Sequence, residues 1–152
     1  MALTLSPGEH NQLQAQVIEQ FTPQFVPGAV LLYLGDTADK DLYLAVEQLT
    51  TLGIPVTAHD KLPDIILHDT AREWLFLIEV VISHGPMTPK RVHKLTDMLR
   101  QCTVGKVFVT AFSTFAEFRK HIKSIAWETE VWIAEVNDHL IHFNGDRFLG
   151  PR

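Results

Sequence analysis

The amino-acid sequence predicts an α/β domain with a mixed central sheet flanked by helices. Three observations carry this. Short continuous apolar runs, such as Val30-Leu31-Leu32-Tyr33-Leu34 and residues 106–112, have the length of buried strands. Segments opened by a capping residue and a proline, or closed by a glycine, alternate with those runs and read as helices. Two further apolar segments, residues 65–67 and 74–82, lie close enough in sequence to pair as a hairpin.

Taken in order, the first helix is expected over residues 7–21, with Ser6 as N-cap and Pro7 at its first position. A proline-containing stretch then leads into the strand at 30–34, which Gly35-Asp36 ends. Residues 39–52 read as a helix stopped by Gly53, and 54–57 as a short strand. The hairpin strands follow, then a helix from Thr88-Pro89 to about Cys102. Residues 106–112 form a strand and 114–125 a helix. Residues 130–143 form a hairpin turning at Asn137-Asp138. No repeat, low-complexity segment or linker interrupts residues 1–152, and a chain of 152 residues suits one domain with its own core.

Composition narrows the function classes. Apolar residues make up 46% of the chain and charged residues 20%, which is globular rather than disordered. No apolar run is long enough to span a bilayer, and the polar N-terminus lacks the apolar stretch of a secretory leader. A lone Cys102 excludes an internal disulfide and fits a reducing, cytoplasmic setting. A net charge of −5 argues against a basic coat but leaves room for a local basic groove.

The chemistry centres on Asp64 and Glu79. The segment 74–82 holds one charged residue in nine, and a carboxylate inside such a strand is costly unless it is paired or metal-bound. An exposed edge or a bridge to Arg or Lys is the alternative. Register favours the metal. If the hairpin loop is 70–73, with Asp69 opposite Trp74, Asp64 falls directly opposite Glu79. Their Cβ atoms would then lie about 5 Å apart. Two carboxylates that close repel unless something positive sits between them, and a hard cation such as Mg²⁺ with oxygen ligands is the natural occupant. Such a site suits phosphodiester hydrolysis.

Pro63-Asp64, fourteen intervening residues and then Glu79 on an apolar strand resemble the PD-(D/E)XK nuclease signature. The surrounding text is more specific. It includes Leu34-Gly35-Asp36-Thr37-Ala38-Asp39-Lys40, Ile78-Glu79-Val80-Val81-Ile82-Ser83-His84-Gly85-Pro86, Ala126-Trp127-Glu128-Thr129-Glu130-Val131-Trp132, and the stretch from His142 to Pro151. Together these resemble the C-terminal catalytic region of BsuBI/PstI-type Type II restriction endonucleases along nearly the whole chain. The resemblance implies a restriction-endonuclease-like fold and Mg²⁺-dependent cleavage of double-stranded DNA at a short palindrome, CTGCAG in the founding members. It also implies a homodimer with one active site per strand and a separately encoded DNA methyltransferase. The helical region that precedes this one in the family is expected to be absent here.

One position departs from the pattern. The class places Lys two residues after the glutamate, where this chain has Val81. Lys90, opening the helix after Thr88-Pro89, is the first candidate to supply the catalytic cation, and Lys61 is a second. Ser83, His84, Arg91 and Lys94 are candidate DNA contacts. A solvated basic helix face is the alternative for Arg91 and Lys94, and a structural role for His84. Asp36, at a strand end, is a further candidate ligand or a turn acid.

Two other functions compete. One is a nuclease-fold DNA-binding module without hydrolysis, consistent with Val81. The other is a phosphate-ester hydrolase using the Asp36 loop, since Gly35-Asp36-Thr37 after a strand is similar to haloacid-dehalogenase phosphatase loops. The second acid and the Thr of that pattern are replaced by Ala38 and Lys40. Trp74, Trp127 and Trp132 have apolar neighbours and are expected in the core, as is Cys102.

Overall fold

The computed structural model describes residues 5–35, 42–56, 62–82 and 85–146. Seven strands form one sheet: β1 (Val30–Leu34), β2 (Tyr43–Leu44), β3 (Ile65–Asp69), β4 (Trp74–Val80), β5 (Gly105–Phe112), β6 (Thr129–Ile133) and β7 (Leu140–Phe143). Their order across the sheet is β2-β1-β3-β4-β5-β6-β7. β1 to β4 pair antiparallel, β4-β5 and β5-β6 are parallel, and β7 returns antiparallel on β6. The parallel joins need crossovers, and helices supply them: α4 (Pro89–Met98) before β5, and α5 (Phe115–His121) before β6. This is the expected mixed sheet flanked by helices.

Strand alternation divides the core by face. Phe76, Ile78 and Val80 of β4 point to the side where α1 (Glu9–Gln16) and the π-helical turn Val17–Phe21 lay down Leu13, Val17 and Phe21. Leu75 and Leu77 point the other way, onto Leu49 of α3 (Val46–Thr51) and Leu95 and Leu99 at the end of α4. Each of these leucines is at most 1% exposed, and burying such a side chain stabilises the fold by about 1.5–3 kcal/mol. A third cluster, with Val81, Phe112, Phe118 and Ile133, fills the end of the sheet under α5.

Several boundaries differ from the sequence expectation. The first helix starts at Glu9 rather than Pro7, with Gly8 instead of Ser6 at the N-cap. It continues through the π-helical turn into α2 (Thr22–Phe25), because Pro23 sits where a new helical turn begins and has no N–H to lose. The helix expected over 39–52 begins only at Val46, since Tyr43 and Leu44 pair with β1 instead. Residues 54–56 form no strand. Ile54 donates its N–H to Leu49 O, 2.9 Å away, and packs as a plug below α3. Strand β4 stops at Val80, and α4 stops at Met98, short of the buried Cys102. The C-terminal hairpin forms, with a 3-10 turn at Ala134–Val136 ahead of Asn137-Asp138. Trp132 is fully buried, but Trp127 is 66% exposed, because it precedes Glu128, whose φ of 63° turns the chain just before β6.

Candidate active site

The hairpin closes as counted, with Asp69 opposite Trp74 and the ladder running back to Ile65 opposite Ile78. One more step on each strand brings Asp64 and Glu79 to the same end. Asp64 precedes β3, and its carbonyl accepts from Gly35 N at 3.0 Å, which ties it to the end of β1. Its Oδ2 accepts from Val80 N at 2.8 Å, so the carboxylate caps the adjacent strand. On the other flank Glu79 faces Thr110 of β5 in the parallel register.

Thr110 sets the approach of the next helix. Its buried Oγ1 accepts from Met87 N at 3.1 Å, while Met87 O accepts from Ala126 N at 2.9 Å. The chain then enters α4 through Thr88, whose Oγ1 accepts from Arg91 N at 3.1 Å, as an N-cap should. Arg91, Leu95 and Leu99 recur every four residues along one helical face. The leucines are buried, and Arg91 reaches Glu79. Its Nη2 and Nε donate to Glu79 Oε1 at 2.9 and 3.3 Å.

A second partner arrives from the opposite face of the sheet. His10, in the first turn of α1, places Nε2 3.3 Å from Asp64 Oδ1. One turn further on, Gln14 donates from Nε2 to Gly35 O at 2.6 Å, and Asn11 donates to Ser6 O at 2.9 Å. These bonds fix the helix start against the strand ends. The hydrogen bond to Asp64 raises the His10 pKa against the opposing effect of burial. Burial, and then the Asp64 charge, push the Glu79 carboxyl up to about 7, and Arg91 pulls it back less than they raise it.

The side chains of Glu79 and Asp64 are 16% and 26% exposed, so the acid pair is sheltered but open to a solute. Among the described residues, no group of three or more His, Cys, Asp or Glu side chains is arranged to hold a metal ion. A pair of carboxylates still fits Mg²⁺, which keeps several waters and takes its remaining ligands from substrate phosphates. The Glu79 carboxyl is pushed up first by burial and then by the Asp64 charge, and a bound cation would offset both.

Of the other residues singled out in the sequence, Lys90 and Lys94 are exposed on α4. Asp36, Lys61, Ser83 and His84 lie outside the described residues, and so does the Asp36 loop on which a phosphatase reading depends. The bridge to arginine weighed for Glu79 is present, and Arg91 rather than Lys90 makes it. His10 was not found from the sequence. Its contact spans 54 residues, and no local pattern marks it.

Residues 1–146 match the family model of the BsuBI/PstI restriction endonuclease domain. The chain is 46% identical to the Type II restriction enzyme BsuBI of Bacillus subtilis over 97% of its own length and 46% of that protein. It is 32% identical to the Type II restriction enzyme AplI of Arthrospira platensis, over 97% of this chain and 48% of the relative. The solved structure of the SdaI restriction endonuclease superposes with a TM-score of 0.87 at 43% identity, covering 97% of this chain and 46% of that one. The chain thus spans about half the length of the relatives it matches. The seven-stranded mixed sheet, the restriction-endonuclease neighbour and the match over residues 1–146 agree, and the chain belongs to the BsuBI/PstI restriction endonuclease family.

Proposed function

We propose that this chain is the catalytic domain of a Type II restriction endonuclease that hydrolyses phosphodiester bonds of double-stranded DNA with Mg²⁺. The observation that carries the reading is the β3-β4 register, with Ile65 opposite Ile78, which brings Asp64 and Glu79 to the same end of one hairpin, where Asp64 Oδ2 accepts from Val80 N at 2.8 Å. Asp64 and Glu79 would hold the ion. Bound there, it would polarise a phosphoryl oxygen and lower the pKa of the attacking water. Asp64 is kept in place by Val80 N and His10, and Glu79 by its strand and Arg91. Basic side chains of α4, Lys90 and Lys94 among them, together with the Ser83-His84 segment, would contact the DNA backbone.

Family membership supports a palindromic target of the CTGCAG type, a homodimer with one active site per strand, and a cognate methyltransferase in the same cytoplasm. Among the described residues no helix is long and apolar enough to cross a membrane.

Plasmid cleavage tests the reading. Mg²⁺ should support double-strand cuts by the unmodified chain, and Asp64→Ala and Glu79→Ala should each abolish them. Cleavage surviving both substitutions would sink the assignment of the site. Cleavage absent from the unmodified chain, with DNA binding retained, would favour a binding module instead.

A further inference from the structure

We infer that Arg91 is the catalytic cation of this site, meeting the scissile phosphate in the place of the lysine that Val81 replaces; this rests on the nuclease reading above. Position 81 is closed to the role. Val81 is fully buried among Phe112, Phe118, Ile125, Val131 and Ile133, and its N–H donates to Ala111 O at 3.0 Å. An ammonium there would be sealed in apolar surroundings, which a charge does not tolerate unpaired.

Among the basic residues of α4, geometry selects Arg91. Lys90 is one residue earlier, about 100° around the helix, and is exposed. Lys94 is exposed a turn later. The Arg91 side chain is 25% exposed, and its backbone N–H is committed to Thr88 Oγ1. Nε and Nη2 converge on the single oxygen Oε1 of Glu79. A guanidinium has five N–H donors in a rigid fork that suits phosphate, so donors remain for a second anion. A phosphate held at the two carboxylates would lie beside this side chain, the basic group of α4 that touches Glu79. The competing possibility is that Arg91 only steadies Glu79, and the two roles differ in what they do to metal affinity.

Two measurements on the full chain separate them: single-turnover cleavage of plasmid DNA in Mg²⁺, and calorimetric titration with Ca²⁺ in the absence of DNA. Arg91→Met should slow cleavage by about 100- to 1,000-fold, the usual loss on removing one donor to developing charge. Its Ca²⁺ affinity should hold or rise, because a cation competing for Glu79 has gone. Arg91→Lys should recover part of the rate, since an ammonium keeps the charge and loses the fork. Ca²⁺ affinity falling in step with cleavage would overturn the inference in favour of positioning. So would an Arg91→Met chain cutting within about threefold of the unmodified one, a difference too small for a transition-state contact. Lys90→Ala losing cleavage while Arg91→Met keeps it would move the role to Lys90. Failure of the unmodified chain to cut overturns the nuclease reading together with this one, whereas equal cutting by both chains overturns this one alone.

Discussion

The β3-β4 hairpin carries an acid at each end of β3, and the two ends are built on opposite principles. At the turn, Asp69 is buried and fully engaged. Its Oδ1 accepts from Ala71 N and Arg72 N at 3.1 and 3.3 Å, and its Oδ2 pairs with Arg72 Nε at 2.5 Å. The Arg72 guanidinium lies 4.4 Å from the Trp74 ring centre, which adds a cation–π contact. Hydrogen bonds from Arg72 hold the Asp69 carboxyl below its usual range. At the open end two acids oppose each other, and Glu79 is pushed up to about 7 by burial and by Asp64. The partners of the two acids come from separate helices, His10 of α1 for Asp64 and Arg91 of α4 for Glu79, rather than from the hairpin's own turn. A local ion pair of the Asp69 kind secures a fold. Like charges set side by side on one hairpin, with their partners collected from distant elements, are held at a cost, and that is where function is expected.

The largest effect should come from neutralising one of those like charges. If Glu79 holds the ion as proposed, Glu79→Gln keeps the shape and removes that ligand charge, so Mg²⁺-dependent cleavage should drop by three or more orders of magnitude, as for loss of a central catalytic group (~10³–10⁴). Melting of the metal-free variant at pH 8 should be no lower than that of the parent, since a poorly solvated charge has been removed. A large loss of stability would mean that Glu79 belongs to the scaffold, as Asp69 does.

Next in size is His10. A residue that hydrogen-bonds a ligating carboxylate typically governs metal affinity by about 10- to 100-fold. His10→Leu should weaken Mn²⁺ binding by that order, and His10→Gln, which retains a donor, should recover most of it. Calorimetry reads both, and equal affinity in all three chains would leave His10 as packing for α1.

Asp69→Ala probes the other end. It removes the acceptor of the Ala71 and Arg72 N–H groups and the partner of the Arg72 guanidinium, all in an exposed turn that water can reach, so the loss should be modest. For a chain of this length a melting shift of about 2–4 °C is expected, read by thermal denaturation. Cleavage per folded molecule should not change. If it falls, the ends of the hairpin are coupled and the contrast between them fails.

These differences also explain what was legible in the sequence. The hairpin closure at Asp69-Trp74, and with it the shared end of Asp64 and Glu79, could be counted, because strands pair residue for residue once the turn fixes the register. Both α4 and its Thr88 cap could be read for the same local reason. Arg91 and Lys90 could be placed in one helical turn, but choosing between them required the helix phase that burial of Leu95 and Leu99 supplies. His10 could not be found, since its partner is set by how α1 docks on β4 and reaches the ends of β1 and β3. The expected strand at 54–57 and the expected core position of Trp127 failed alike. Apolar residues announce burial without saying whether they pair, plug or sit at a turn.

The smallest expected effect is the response of the metal-free fold to pH, and it should differ in sign between the two ends. Glu79 has a folded pKa of about 7, above the value of an exposed glutamate, so the folded state binds the extra proton between those values. Stability from this group is therefore fully present below the value of an exposed glutamate and is lost as pH rises through about 7. The raised His10 acts in the same direction, its contribution present below the unfolded value and lost as pH rises through the folded one. Asp69 is depressed, so its contribution is present above the unfolded carboxylate value and disappears as pH falls through the folded one. Thermal melts of the metal-free chain should fall by a few degrees, an order-of-magnitude figure, between pH 6 and pH 8. In Glu79→Gln that decline should shrink to the part His10 supplies, whereas in Asp69→Asn it should persist, with only the acid limb of the curve altered. A decline of equal size in Glu79→Gln would show that the open end carries no stored repulsion, and the metal reading would lose its electrostatic support.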